Sequence, residues 1–311
     1  MQYYFAPMEG LTDSVYRRLH HQYFGGVDRY YMPFLSPTVH RALTPREARE
    51  LPPADSEGFC AVPQLLTKNA EDFLWMAQQC RQLGYEEVNL NLGCPSGTVT
   101  AKGKGSGMLR DPDGLDAFLY DIFASAPIPI SVKTRIGFAE AEEFPRLMEI
   151  FNRYPIHLLI VHPRVRTQFY NGGVDMQAFT YACSVSSAPL CFNGDLTSLS
   201  QARAIGKSFP GVESVMIGRG LIADPGMLCG GTTAPKLEAF MDALLEEYGR
   251  VFGSSRNAMF RLKENWRMLE GRFNGGEKLF KQLRKTTDFT QFCSLTHQIL
   301  KDVPLKSEAN Q

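Results

Sequence analysis

No apolar run in the 311 residues reaches the roughly 18 needed to cross a bilayer, and the first ten residues lack the basic start and long apolar core of a secretory signal. A membrane-spanning or exported protein is therefore not expected, and the chain is read as cytoplasmic. Its seven cysteines are odd in number and scattered, with no Cys-x-x-Cys pair, so neither a disulfide framework nor a structural zinc site is suggested and no metal is expected. Net charge is also missing: 33 basic residues balance 33 acidic ones, which argues against wholesale wrapping by a polyanion. The balance is uneven, however. From Arg250 to Lys285 ten Lys or Arg face three acids (Glu264, Glu270, Glu277), so a basic module is attached to an acidic body. By itself such a run is more often a solvated helical surface than a binding site. With 44% hydrophobic content, the chain can bury a core the size of a barrel and still carry a smaller appendage.

Eight short apolar or β-branched runs recur near Tyr3–Phe5, Tyr30–Met32, Ala61–Gln64, Val88–Leu90, Ile130–Lys133, Leu158–Val161, Leu190–Phe192 and Val215–Ile217. Helix-like segments follow most of them, for example 70–83, 112–123, 141–151 and 198–205, and strand-helix alternation of this kind calls for parallel strands with crossover helices. Eight units predict an α/β fold, a (β/α)8 TIM barrel, whose functional groups collect at the C-terminal ends of the strands. The alternation stops near Leu228, where Gly230, Gly231 and Thr232-Thr233-Ala234-Pro235 read as a linker. Beyond it Met259, Leu262, Trp266, Leu269 and Phe273 form one helical apolar stripe, with Arg256, Lys263 and Arg267 on another side and Lys278, Lys281 and Lys285 aligned on the next helix. The expected domains are thus a barrel over 1–232 and an all-helical C-terminal domain over 233–311, ending in a frayed polar tail from Ser307.

The most informative segment is Asn91-Leu-Gly-Cys-Pro-Ser96, which sets a thiol where an apolar strand runs into a glycine-rich loop. An ordinary thiol, with a pKa of about 8.5, is mostly protonated at neutral pH, so Cys94 is a candidate proton donor rather than a pre-ionised nucleophile. The loop 97–110 alternates Gly103, Gly105 and Gly107 with Lys102 and Lys104, as expected of a mobile cationic cover over an anionic substrate. Lys133 ends another apolar run and needs a negatively charged partner if buried; a Schiff-base lysine is the sharpest alternative.

Six further anchors accompany Cys94: Ala6-Pro7-Met8-Glu9, Gln64, Lys133-Thr134-Arg135-Ile136-Gly137, Val161-His162-Pro163-Arg164, Phe192-Asn193-Gly194-Asp195 and Met216-Ile217-Gly218-Arg219-Gly220. Taken together, from Phe5 to about Lys285, they resemble the tRNA-dihydrouridine synthase family. The resemblance implies an FMN-bearing barrel, a helical tRNA-binding domain, and reduction of the C5=C6 bond of a tRNA uridine with NADPH or NADH as electron source. It implies Cys94 as the donor of the C5 proton and Lys133 beside the N1/C2 edge of the flavin ring. Pro7, Met8, Glu9, Gln64 and His162 are implied as further flavin contacts, and Asn193, Gly194, Asp195, Gly218 and Arg219 as the phosphate site. Asn91 is expected at the uracil or flavin edge. Arg135, Arg164, Arg166, Lys102, Lys104 and the helical Arg256, Lys263, Arg267 and Lys281 are expected to meet tRNA, on a monomeric protein. The chain departs from the family at Pro163, where glycine is common, and at Gly97 and Thr98, where a basic residue commonly follows Cys-Pro. Two alternatives stay open: a small-molecule flavin reductase of the dihydroorotate or dihydropyrimidine type, and a non-catalytic RNA-binding protein on a degenerate barrel.

Overall fold

A computed structural model describes residues 1–38 and 40–306, so the expected polar tail lies outside the described residues. Nine strand segments are present among them: β1 (Gln2–Phe5), β2 (Arg29–Tyr31), β3 (Ala61–Val62), β4 (Gln64–Leu65), β5 (Val88–Leu92), β6 (Ile130–Gly137), β7 (Leu159–Val165), β8 (Leu190–Asn193) and β9 (Ser214–Ile217). The helices are α1 (Ser14–Tyr23), α2 (Pro45–Glu50), α3 (Ala70–Gln82), α4 (Gly97–Thr100), α5 (Pro112–Ser125), α6 (Phe144–Phe151), α7 (Met176–Val185), α8 (Leu199–Ser208), α9 (Arg219–Ala223), α10 (Ala234–Phe252), α11 (Ser255–Leu269), α12 (Glu277–Lys285) and α13 (Phe289–Asp302). None is long and apolar enough to cross a membrane.

Two compact units divide the chain. The first comprises Met1–Pro7, Asp28–Asp195 and Ala202–Ile217, and holds every strand. All pairings are parallel, in the order β3-β2-β1-β9-β8-β7-β6-β5-β4. The two ends of that order are halves of one stretch interrupted by Pro63. Ala61–Val62 pairs with β2, and Gln64–Leu65 pairs with β5, so the ring closes through the proline and the fold is the expected TIM barrel. A proline cannot donate to a ladder, but its carbonyl still accepts from Asn89 N at 2.8 Å, which is why the break is tolerated where the stretch changes partners.

Strands buried on both faces are what a helix-covered parallel sheet requires, and all seven residues of β7 and all five of β5 are buried. The barrel interior is filled by Tyr4, Ala6, Tyr31, Val62, Leu158, Ile160, Cys191 and Met216. Because strand side chains alternate faces, the same parity carries Gln64, Lys133, His162 and Asn193 inward. Helix starts are fixed locally: Asn69 Oδ1 accepts from Asp72 N (2.8 Å), Asp111 Oδ1 from Gly114 N (3.0 Å) and Asp175 Oδ1 from Ala178 N (2.9 Å). Each such cap contributes about 1 kcal/mol.

The second unit comprises Met8–Val27, Leu196–Gln201 and Gly218–Gln311. Here α1 buries Val15, Tyr16 and Leu19, with Tyr16 edge-on to Phe240 of α10 at 5.4 Å. The apolar stripe of α11 is buried as its spacing predicts, and Trp266 meets Phe273 and Phe280 at 6.4 and 6.5 Å. Two ion pairs fasten this unit. Arg261 binds Asp13, which also accepts from Tyr248 Oη at 2.8 Å, and Arg272 binds Asp224 at 3.0 Å with both side chains buried. Removing one member of such a buried pair costs about 3–5 kcal/mol, because the other charge is left uncompensated.

Candidate active site

Cys94 lies just past β5, and the three carbonyls around it are each held by a different part of the first unit. Arg135 Nε donates to Gly93 O (2.8 Å), Ser106 Oγ and N donate to Cys94 O (2.8 and 3.1 Å), and Arg166 Nε donates to Pro95 O (3.2 Å). The amide side is held as firmly. Asn91 Oδ1 accepts from Gly93 N (3.1 Å) and Cys94 N (2.5 Å), which curls the chain back on the strand end. Asn91 is itself placed by a chain of amides: its Nδ2 donates to Gln64 Oε1 (2.7 Å), Gln64 Nε2 to Asn89 Oδ1 (2.8 Å), and Asn89 Nδ2 to Ser131 Oγ (2.8 Å). Buried polar groups linked in this way rigidify a core, since each would be costly unpaired. The thiol is thus carried on a strap with little freedom, and it is only half-buried.

The loop expected to be a mobile cover is packed structure. Residues 105–109 are buried, and Gly105 (φ +59°) sits so close that a Cβ on it would lie 2.9 Å from Cys94 O. Only glycine fits there in both space and backbone angle. Lys102 is exposed and Lys104 half-buried. Lys68, which sequence reasoning did not single out, joins them: its Nζ comes within 3.6 Å of where a Gly103 Cβ would stand.

Lys133 projects from β6 into the same interior. Burial, reinforced by the nearby Arg135 guanidinium, pushes its ammonium down to about 8, with Cys191 and Cys94 opposing the shift. No hydrogen bond or ion pair joins this half-buried cation to a described residue. Across the interior His162 Nε2 accepts from Arg164 Nη1 at 3.1 Å. A guanidinium only donates, so Nε2 is the accepting atom of this contact.

Several residues have duties other than those expected. Arg135 and Arg164 are both 1% exposed and are held by acceptors of the chain itself. Arg135 also donates to Val165 O (2.9 Å) and Phe169 O (2.7 Å), while Arg164 pairs with Asp195 and donates to Gly172 O. Arg166 is turned inward by Pro95 O and by Thr100 Oγ1 (3.1 Å). Asn91 holds the Cys94 strap as described. At the expected phosphate site, Asn193 Nδ2 ties β8 to β9 through Met216 O (2.8 Å), Asp195 adopts a left-handed backbone (φ +44°), and a Gly194 Cβ would meet Val174 at 2.7 Å. Gly194 therefore serves close packing. Pro7 and Met8 are half-buried, Glu9 is exposed, and Arg219, exposed, opens α9 just after Gly218.

On the helical unit, Lys263 has a structural partner. Its Nζ donates to Thr286 O and Arg284 O, capping the C-terminal end of α12, so it holds two helices together. Arg256 and Lys263 lie over the ring of Phe260 at 5.7 and 5.0 Å, and that ring is 42% exposed. Arg256, Lys278, Lys281 and Lys285 are exposed with no carboxylate partner among the described residues, and Arg267 has only Glu264 at 3.9 Å. No group of three or more His, Cys, Asp or Glu among the described residues is arranged to hold a metal ion.

Residues 4–299 match the family model described as dihydrouridine synthase. The chain belongs to that family. It is 30% identical over 250 residues to a probable tRNA-dihydrouridine synthase of Rhizobium leguminosarum, covering 78% of this chain and 76% of the relative. A protein of the same description from Rickettsia bellii is 29% identical over 258 residues, covering 79% and 78%. Among solved structures, the old yellow enzyme from Trypanosoma cruzi superposes with a TM-score of 0.54 at 9% identity, covering 73% of this chain and 86% of that one, a likeness of fold alone. For this family member, sequence reasoning missed Ser106, which holds Cys94 O, and Asn89 and Ser131, the far links of the amide chain that reaches Gln64. Only Asn89 left a signal, since polar Asn at every second place of Val88-Asn-Leu-Asn-Leu92 marks one inward face.

Proposed function

We propose that the chain is a tRNA-dihydrouridine synthase that uses FMN and NAD(P)H to reduce the C5=C6 bond of a uridine in tRNA. The observation that supports this most is the strapped Cys94 beside a cation that has no anion of its own, in a chain of the dihydrouridine synthase family. The residues present fit a flavin in one respect that can be checked: the Lys133 ammonium has no acceptor among the described residues, and the N1/C2 edge of the ring offers one. Lys133 would hold that edge, with Pro7, Gln64, His162 and Asn193 as its neighbours around the ring. Bound FMN supplies the hydride for C6.

The remaining work falls to side chains. Cys94 delivers a proton to C5 from its thiol, and the hydrogen bonds to Gly93, Cys94 and Pro95 keep that thiol from turning away. His162, whose Nε2 faces Arg164, orients the uracil from the interior of the barrel. Residues 233–311 form the tRNA-binding domain, where Arg256, Arg267 and Lys281 meet phosphate; Lys68, Lys102 and Lys104 add a second cationic group on the barrel.

The test is dihydrouridine formation on unmodified tRNA with NADPH, comparing wild type with Cys94→Ala. The variant should bind tRNA normally while reduction falls by about 10²–10⁴-fold, the range a positioned proton donor supplies. Full turnover by Cys94→Ala would remove the proton-donor role. Reduction of free dihydropyrimidine precursors without reduction of tRNA would overturn the substrate assignment.

A further inference from the structure

Phe169, at the end of the turn after β7, combines two costly features. Its backbone stands at φ +52°, ψ −101°, a conformation that glycine takes freely and a bulky residue takes only under strain, and the residue is 39% exposed. Slack chain does not explain either. Arg135 Nη2 donates to Phe169 O at 2.7 Å, Phe169 N donates to Arg166 O at 3.1 Å, and the Arg166 guanidinium lies 4.9 Å from the ring centroid. Arg135 and Arg166 are also the two arginines that hold Gly93 O and Pro95 O on either side of Cys94. The ring is therefore fixed to the same strap as the thiol. Tyr170 follows, 51% exposed, with its ring 6.2 Å from His162 and 5.5 Å from the Arg135 guanidinium.

We propose that Phe169 is a stacking platform for the nucleobase adjacent to the uridine that reaches Cys94. This rests on the function proposed above. A uridine drawn out of a folded RNA leaves its neighbour with an open π-face, and a rigid aromatic ring already held in place offers stacking to any base at small entropic cost. The Arg166 guanidinium is held by Pro95 O and Thr100 Oγ1 but only half-buried, so its charge still acts through space beside the ring, where the phosphate between the two nucleotides would run. A glycine would satisfy the backbone and leave no platform.

Phe169→Gly, Phe169→Leu and Phe169→Trp, each as full chain loaded with FMN, are compared with wild type on tRNA whose target uridine has been mapped with the wild-type protein. Loss of base–aromatic stacking should lower kcat/KM by about 5- to 100-fold in the Gly and Leu variants, chiefly through KM, with Trp near wild type. Phe169→Gly should melt at or above the wild-type temperature, because the strain is relieved. 2-Aminopurine placed beside the target uridine should be quenched by wild type and Phe169→Trp, and not by Phe169→Gly. Equal kcat/KM in all variants, a loss explained by a lower melting temperature, or a change in the KM for NADPH in place of tRNA would each overturn the assignment. If wild type itself makes no dihydrouridine, the underlying function falls as well; if it does and the variants match it, only the platform falls.

Discussion

Asn91 is where the geometry of the strap can be tested without touching the thiol. In Asn91→Ala three groups lose their partner at once: Gly93 N–H, Cys94 N–H and Gln64 Oε1. A buried polar group left unpaired costs about 1–3 kcal/mol. Gln64 is 1% exposed and bears the full penalty, whereas Gly93 and Cys94 are half-buried and regain part of theirs from water. The expected loss of stability is therefore about 2–4 kcal/mol by urea unfolding. Asn89→Ala is the matched control, since it strips Gln64 Nε2 and Ser131 Oγ of their partners at similar cost while leaving the strap's own hydrogen bonds in place. Iodoacetamide labelling, read at Cys94 by peptide mass spectrometry, separates the two: labelling should accelerate several-fold in Asn91→Ala and stay near the wild-type rate in Asn89→Ala. Equal labelling of Cys94 in both variants, or wild-type stability in Asn91→Ala, would refute the view that Asn91 Oδ1 sets the position of the thiol.

Two further outcomes follow from the charges. Lys133 has its folded pKa pushed down to about 8, below its unfolded value, so at pH 7 the folded state holds an unfavourable half-buried charge and stability rises as pH climbs from about 8 toward 10.5. Flavin-free Lys133→Met should lack that rise relative to wild type and gain up to about 3 kcal/mol at pH 7, measured by urea unfolding at pH 7 and 9.5; an identical pH profile would contradict the burial of the cation. Replacing Arg256, Arg267 and Lys281 together by Gln should weaken tRNA binding and flatten its salt dependence by up to about one unit of slope per lost phosphate contact, read by fluorescence anisotropy with labelled tRNA across a salt series. An unchanged slope would make that surface a solvated face.

The barrel was legible because its signal is local. Each of the eight apolar runs became a strand, and Cys94 and Lys133 stood out because each is a reactive group at the end of such a run. What could not be read was partnership across the chain. Arg135 and Arg164 look like surface cations until the carbonyls and the carboxylate that receive them, 30 or more residues away for Val165 and Asp195, are in view. The basic excess of 250–285 shrinks for the same reason, because Arg261 and Arg272 are matched by Asp13 and Asp224 from outside that stretch. Ser106 gave no warning at all. A serine among glycines reads as loop filler, and its grip on Cys94 O exists only once Gly105 has brought the loop onto the strap.

The proline-split stretch gives the molecule a seam, and the seam has a chemical reach. Gln64, the first residue after the break, is both the point where the ring of strands zips shut on β5 and the middle link between Asn89 and Asn91. A slip of one residue there would turn Gln64 outward and leave Asn91 without its support. Barrel closure and the placing of Asn91 thus depend on the same residue, Gln64.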